Sequence, residues 1–135
     1  MNRTIKFRGK SIYGEDWLYG SLVKIEKDRY AVIPPLNNIE IGKSIGMYEV
    51  YPETVGQFTG LFDKNGKEIY EGDILHTITF GFEPEEYTAI ILYDNCRFQP
   101  SNGRNLFYFG QSDLTKMDDT IVIGNIYDNP ELIIP

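Results

Sequence analysis

The dipeptide Asn65-Gly66 constrains this chain more than any other feature. It stands between the segments TGLFDK and KEIYEGDIL. Two extended runs joined by Asn-Gly make an antiparallel hairpin, because a type I′ turn needs positive φ at both central residues and this pair tolerates it well. Glu71-Gly72-Asp73 predicts a second turn close behind, its polar side chains capping backbone groups and facing solvent. The strand leaving that turn, DILHTITF, alternates with period two. Ile74, His76, Ile78 and Phe80 fall on one side, Leu75, Thr77 and Thr79 on the other. Apolar residues on both sides predict partial burial of both faces.

The rest of the chain reads the same way. TIKFRG alternates Ile5 and Phe7 with Lys6 and Arg8, a half-buried strand by its period. DWLYGSLVKIEK predicts a strand with a bulge at Gly20, and Gly14 lies in the connection before it. RYAVIP predicts a strand stopped by Pro34-Pro35, which cannot continue a central ladder. A short strand near Val50 ends at Pro52. TAIILYD, FYFG and TIVIGNIYD supply the later strands, with GFEPEEY as a polar loop and LNNIEIGKSIG as loop with a weak strand. No amphipathic stretch of helical length occurs. Two helical turns are expected, in SDLTKM behind Ser112 or Asp113, and in DNPELI with Asn129 as N-cap and Pro130 at the first helical position.

Composition narrows the function classes. The 135 residues are 41% hydrophobic and include ten Tyr and eight Phe, enough for a packed core rich in strand-forming rings. No apolar run approaches the roughly 20 residues that span a bilayer. The basic start lacks an apolar signal region of about 7–15 residues. The single cysteine, Cys96, cannot form an intrachain disulfide. A cytoplasmic protein without membrane contact is the expectation. The net charge of −7 is uneven: residues 1–55 carry eight Lys/Arg against seven Asp/Glu, and residues 56–135 five against thirteen. The acidic part disfavours nonspecific phosphate-backbone binding. Arg3, Lys6, Arg8 and Lys10 form the one basic cluster, read as the solvated face of an edge strand.

No chemistry-bearing set emerges. His76 sits within an alternating strand and reads as a half-buried structural residue, and Cys96 as a small hydrophobe. Two Cys/His residues are too few for zinc. Glu71 and Asp73 share a strand face, with Glu68 on the other, and a turn-capping role accounts for them. Neither the EF-hand order nor a phosphate-cradling loop is present. No catalytic residue, cofactor or metal is therefore assigned. The aromatics among the basic residues, with Lys6, Arg8, Lys10, Trp17, Tyr19 and Tyr70 as the members, make the candidate interaction surface.

FTGLFDKNGKEIYEGDIL, followed later by VIGNIYDNPELI, resembles the YopX family of phage and prophage proteins. IKFRGK with WLYGSLV, and VYPETVGQ ahead of the central motif, fit the same pattern from about Ile5 to Ile133. The resemblance implies a small, mostly β protein of phage or prophage origin and carries over no catalytic residue. KEIYEGDIL also resembles the opening strands of SH3-like barrels. The expected fold is mainly β. An N-terminal antiparallel β-meander over 1–55 packs on a small, partly open SH3-like barrel over 56–135, with one or two short helical turns. Exposed sheet edges make a homo-oligomer an expectation as well. The expected function is non-enzymatic: an interaction or regulatory protein binding an unidentified host or phage protein. A nucleic-acid-associated protein using the basic N-terminal strand is the alternative, and an enzyme centred on His76 or the Glu71/Asp73 pair the third.

Overall fold

The computed structural model describes residues 4–35, 46–78, 86–94, 97–101 and 120–133. The expected strand at FYFG, the helical turn in SDLTKM, Cys96 and most of LNNIEIGKSIG and GFEPEEY lie outside them. The fold is mainly β, and the described residues form antiparallel strands with two single-turn 3-10 segments. Two compact units divide the chain, residues 1–58 and 59–135.

The first unit contains β1 (Phe7–Lys10), β2 (Trp17–Glu26), β3 (Arg29–Ile33) and β4 (Tyr48–Val50), each pairing with the next. β3 stops before Pro34-Pro35, whose missing N–H groups cannot extend the ladder. A 3-10 turn, Pro52–Thr54, leads into β5 (Gly56–Phe62). β1 is not the edge strand expected from its lysines and arginines. One of its edges pairs with β2 throughout. Its other edge is shared: Phe7 and Arg8 pair with Gln57 and Gly56 of β5. Past β1's end, Ser11 bridges Val50, with backbone bonds from Tyr51 N to Lys10 O (2.9 Å) and from Ile12 N to Glu49 O (3.2 Å). The meander β1-β2-β3-β4 therefore returns on itself. Ala31, Val32 and Val50 are fully buried.

Gly20 stands where the pairing of β2 changes sides: the β1–β2 register ends at Phe7–Gly20 and the β2–β3 register begins at Ser21–Ile33, with a register shift in the latter between Lys24 and Glu26. Glycine is needed at position 20 because a Cβ there would lie 2.0 Å from the Ile33 carbonyl oxygen.

The second unit holds the remainder of β5 and its partner β6 (Glu68–Tyr70). It also holds a four-stranded sheet built from β7 (Asp73–Ile78), β8 (Glu86–Asp94), β9 (Arg97–Pro100) and β10 (Thr120–Asn125), in the order β10-β7-β8-β9. Leu61, Ile69, Leu75 and Ile91, one from each of β5 to β8, form its core, with Phe98 and Val122 packed against them. β7 buries both faces along most of its length, in keeping with its two-sided apolar pattern. After β10 comes a 3-10 turn, Pro130–Leu132, with Asn129 at the N-cap and Pro130 first. The Asn129 side chain does not cap that turn. Its Oδ1 accepts the Asn125 N–H instead, at 3.2 Å.

Candidate interaction face

Side chains directly across an antiparallel pair point to the same side of the sheet. Register therefore decides what surrounds the basic residues of β1. Arg8 lies opposite Tyr19 and Lys10 opposite Trp17. Lys6 accepts the Phe58 N–H on its carbonyl, at 2.8 Å, and Tyr51 donates its N–H to Lys10 across the other edge. One face of the first unit thus interleaves Lys6, Arg8 and Lys10 with Phe58, Trp17, Tyr19 and Tyr51. Two of the cations sit over rings of the same face. The Lys6 ammonium is 5.4 Å from the Phe58 centroid and the Arg8 guanidinium 4.8 Å from that of Trp17. Arg8 is only 5% exposed. A solvated row of charges was expected here. The second partner strand and the indole instead remove the central cation from water, and a planar guanidinium accepts such stacking. Tyr19 and Tyr51 stay 41% and 42% exposed, and Trp17, Lys6 and Lys10 are half-buried.

Thr54, itself 5% exposed, ties this face together. Its hydroxyl accepts the Lys10 N–H at 2.9 Å and donates to the Tyr51 carbonyl at 2.6 Å, joining β1 to the residue that follows β4. At the far end of the meander, Arg29 forks onto Glu49 (Nη2–Oε1 2.7 Å, Nε–Oε2 3.2 Å) and reaches Glu26 at 3.3 Å. Arg29's hydrogen bond, more than its charge, holds the Glu49 carboxyl below its ordinary value.

The two fingerprint turns lie in the second unit. Asn65-Gly66 closes the β5–β6 connection, but not as a type I′ pair. Gly66 has φ +81°, whereas Asp28 is the one non-glycine residue with positive φ among the described residues. The loop is three residues long, Lys64 to Gly66, between Asp63 and Lys67, whose backbones bond at 2.8 Å. Asp63 sets that length. Its Oδ1 accepts the N–H groups of Asn65 and Lys67 at 2.8 and 2.9 Å, and its carbonyl accepts Gly66 N at 2.9 Å. Asp at the first turn position with Gly at the fourth is the signature of a type I turn, usually completed by a left-handed glycine. In the second turn Gly72 has φ +91°, and Asp73 Oδ2 accepts the Tyr70 N–H at 2.7 Å. Asp63 and Asp73 are each 1% exposed. They cap backbone groups from inside the fold, not from solvent.

A family model described as "YopX protein" matches residues 6–134. The chain belongs to the YopX family. Among solved structures, three chains match it. One is the crystal structure of protein EF1440 from Enterococcus faecalis, 29% identical, covering 98% of this chain and 100% of that one with a TM-score of 0.64. No curated protein sequence matches.

In this YopX chain the six residues singled out from sequence do not form one surface. Lys6, Arg8, Lys10, Trp17 and Tyr19 share the face of the first unit. Tyr70 belongs to the second unit and is 2% exposed, its hydroxyl donating to Glu68 Oε1 at 3.1 Å. His76 is partly exposed, with Nδ1 3.4 Å from Thr88 Oγ1 and Nε2 3.8 Å from Glu86 Oε2. Among the described residues no group of three or more His, Cys, Asp or Glu side chains could hold a metal ion, and no helix is long and apolar enough to cross a membrane. Sequence reasoning overlooked Tyr51 and Thr54, which become neighbours of Lys10 only through the Ser11–Val50 bridge. It also overlooked Asp63, although the Asp-x-x-Gly spacing was there to be read.

Proposed function

We propose that this chain is a non-catalytic interaction or regulatory protein. It is encoded by a phage or prophage, acts in the bacterial cytoplasm, and binds a host or phage protein through the aromatic face of its first unit. The observation that carries this reading is the exposure of Tyr19 and Tyr51 around Lys10 and Trp17. Tyr and Trp are among the types that dominate binding energy at protein interfaces, and rings held by a paired backbone lose little conformational freedom on binding. The polar groups best suited to chemistry are engaged in structure: Asp73 holds the Tyr70 N–H, and His76 faces Thr88 and Glu86. Nucleic-acid binding by the same strand is disfavoured, because Lys6 and Arg8 already lie over rings of their own face. The parallel proposal that the second unit is an SH3-like barrel rests on the Glu71-Gly72-Asp73 turn opening β7.

Photo-crosslinking tests the reading. A benzoylphenylalanine placed at position 19 or 51 is expected to capture one and the same protein in phage-bearing cells. The same residue at Tyr93, an exposed ring of the second unit, is expected not to. Equal capture from position 93, or crosslinks to nucleic acid alone, would overturn it.

A further inference from the structure

β10 ends the four-stranded sheet. One of its edges pairs with β7, and its other edge meets the fingerprint turn. The Val122 N–H donates to Asp63 Oδ2 at 3.0 Å, and the Thr120 carbonyl accepts the Lys64 N–H at 2.8 Å. These are the groups to which a neighbouring strand would bond. Asp63 is locked in place by the turn amides on its other oxygen. What lies beneath this turn is unusual for an edge. Residues 120–126, Thr-Ile-Val-Ile-Gly-Asn-Ile, contain no charge and no proline, and Ile123 is 37% exposed. Natural edges are blunted by lysine, proline or a covering loop, and an uncharged β-branched segment left bare adds strands from its neighbours.

We propose that the Asp63 turn is a plug, and that the β10 edge it fills is a strand-addition site for a second copy of this chain. A second copy fits because β10 paired antiparallel with itself about a two-fold axis opposes no like charges, and an isologous contact closes at two subunits. An arriving strand must offer an N–H to Thr120 and a carbonyl to Val122. Lys64 and Asp63 hold those two positions. The central motif of the family is, on this view, an edge guard. The inference is independent of the aromatic face.

Asp63→Asn tests it. The carboxylate receives N–H groups on both oxygens, whereas an amide turns an NH2 toward one set of them. The expected result is exchange of the Val122 amide about tenfold faster, with light-scattering mass rising with concentration to twice that of the unsubstituted protein. Adding Ile123→Lys, which places a charge on the edge, is expected to return the mass to that of the unsubstituted protein. Lys64→Pro removes the donor to Thr120, keeps the carboxylate and suits the first central position of the turn. It is expected to shift mass in the same direction by less, and it decides the matter if Asp63→Asn does not fold. Faster Val122 exchange with unchanged mass, or a mass increase that Ile123→Lys does not reverse, would overturn the proposal.

Discussion

At the scale of single residues, backbone and side-chain demands separate cleanly. A Cβ at Gly66 would meet nothing within 4 Å, so Gly66→Ala pays only for the left-handed conformation at φ +81°. The expected loss is about 1–2 kcal/mol with an unchanged urea m-value, read from chemical denaturation. Gly20→Ala is a different case: the Ile33 carbonyl blocks the new atom outright, and the expectation is little folded protein on expression. The Arg29–Glu49 fork gives a pH signature. Glu49 titrates lower when folded, so its contribution is present above its ordinary value of 4.5 and is lost as pH falls through the lowered one. Thermal melts of the unsubstituted protein and Glu49→Gln are expected to differ at neutral pH and to converge as the pH is brought below 4.5. The fork's existence was not legible from sequence, because Arg29 and Glu49 are joined only by the β3–β4 register.

At the scale of elements, the sequence spoke clearly where information is local. The alternation of Ile74 to Ile78, the stop at Pro34-Pro35 and the Asn129-Pro130 turn start all have short-range causes. β1 misled because its second edge is covered by residues roughly forty to fifty positions away, Val50 and Gly56-Gln57, which no window on residues 3–10 contains. Covering that edge turned Arg8 from a surface charge into a packed one. Arg8→Ala is expected to cost about 2 kcal/mol through lost stacking and stem packing, with a shift in the emission of Trp17, the chain's one tryptophan. Thr54 makes the same point for the 3-10 turn. Thr54→Val keeps the volume, removes both hydroxyl bonds and leaves the Lys10 N–H unsatisfied, for an expected loss of about 1–3 kcal/mol by denaturant titration.

At the scale of the whole chain, composition predicted a mostly β protein, and the strands of the described residues and the similarity to the solved structure from Enterococcus faecalis bear it out. In the candidate site, five of the six residues named from sequence share a face, because strand period alone aligns Lys6, Arg8 and Lys10, and a hairpin brings Trp17 and Tyr19 beside them. Tyr70 does not, because a ring's exposure depends on packing that its own segment does not encode. Native-state hydrogen exchange is expected to find the slowest amides of the second unit in β7 and β8, the two strands paired on both edges.

The division between the two units falls inside β5, between Phe58 and Thr59, with no linker there. Anyone wishing to express the units apart must saw through a strand. A piece ending at residue 55 strips Gly56, Gln57 and Phe58 from β1 and bares the backbone of Lys6 and Arg8, whereas a piece ending at residue 58 keeps that seam sewn. The shorter piece should precipitate where the longer one stays in solution, although the two differ by only three residues.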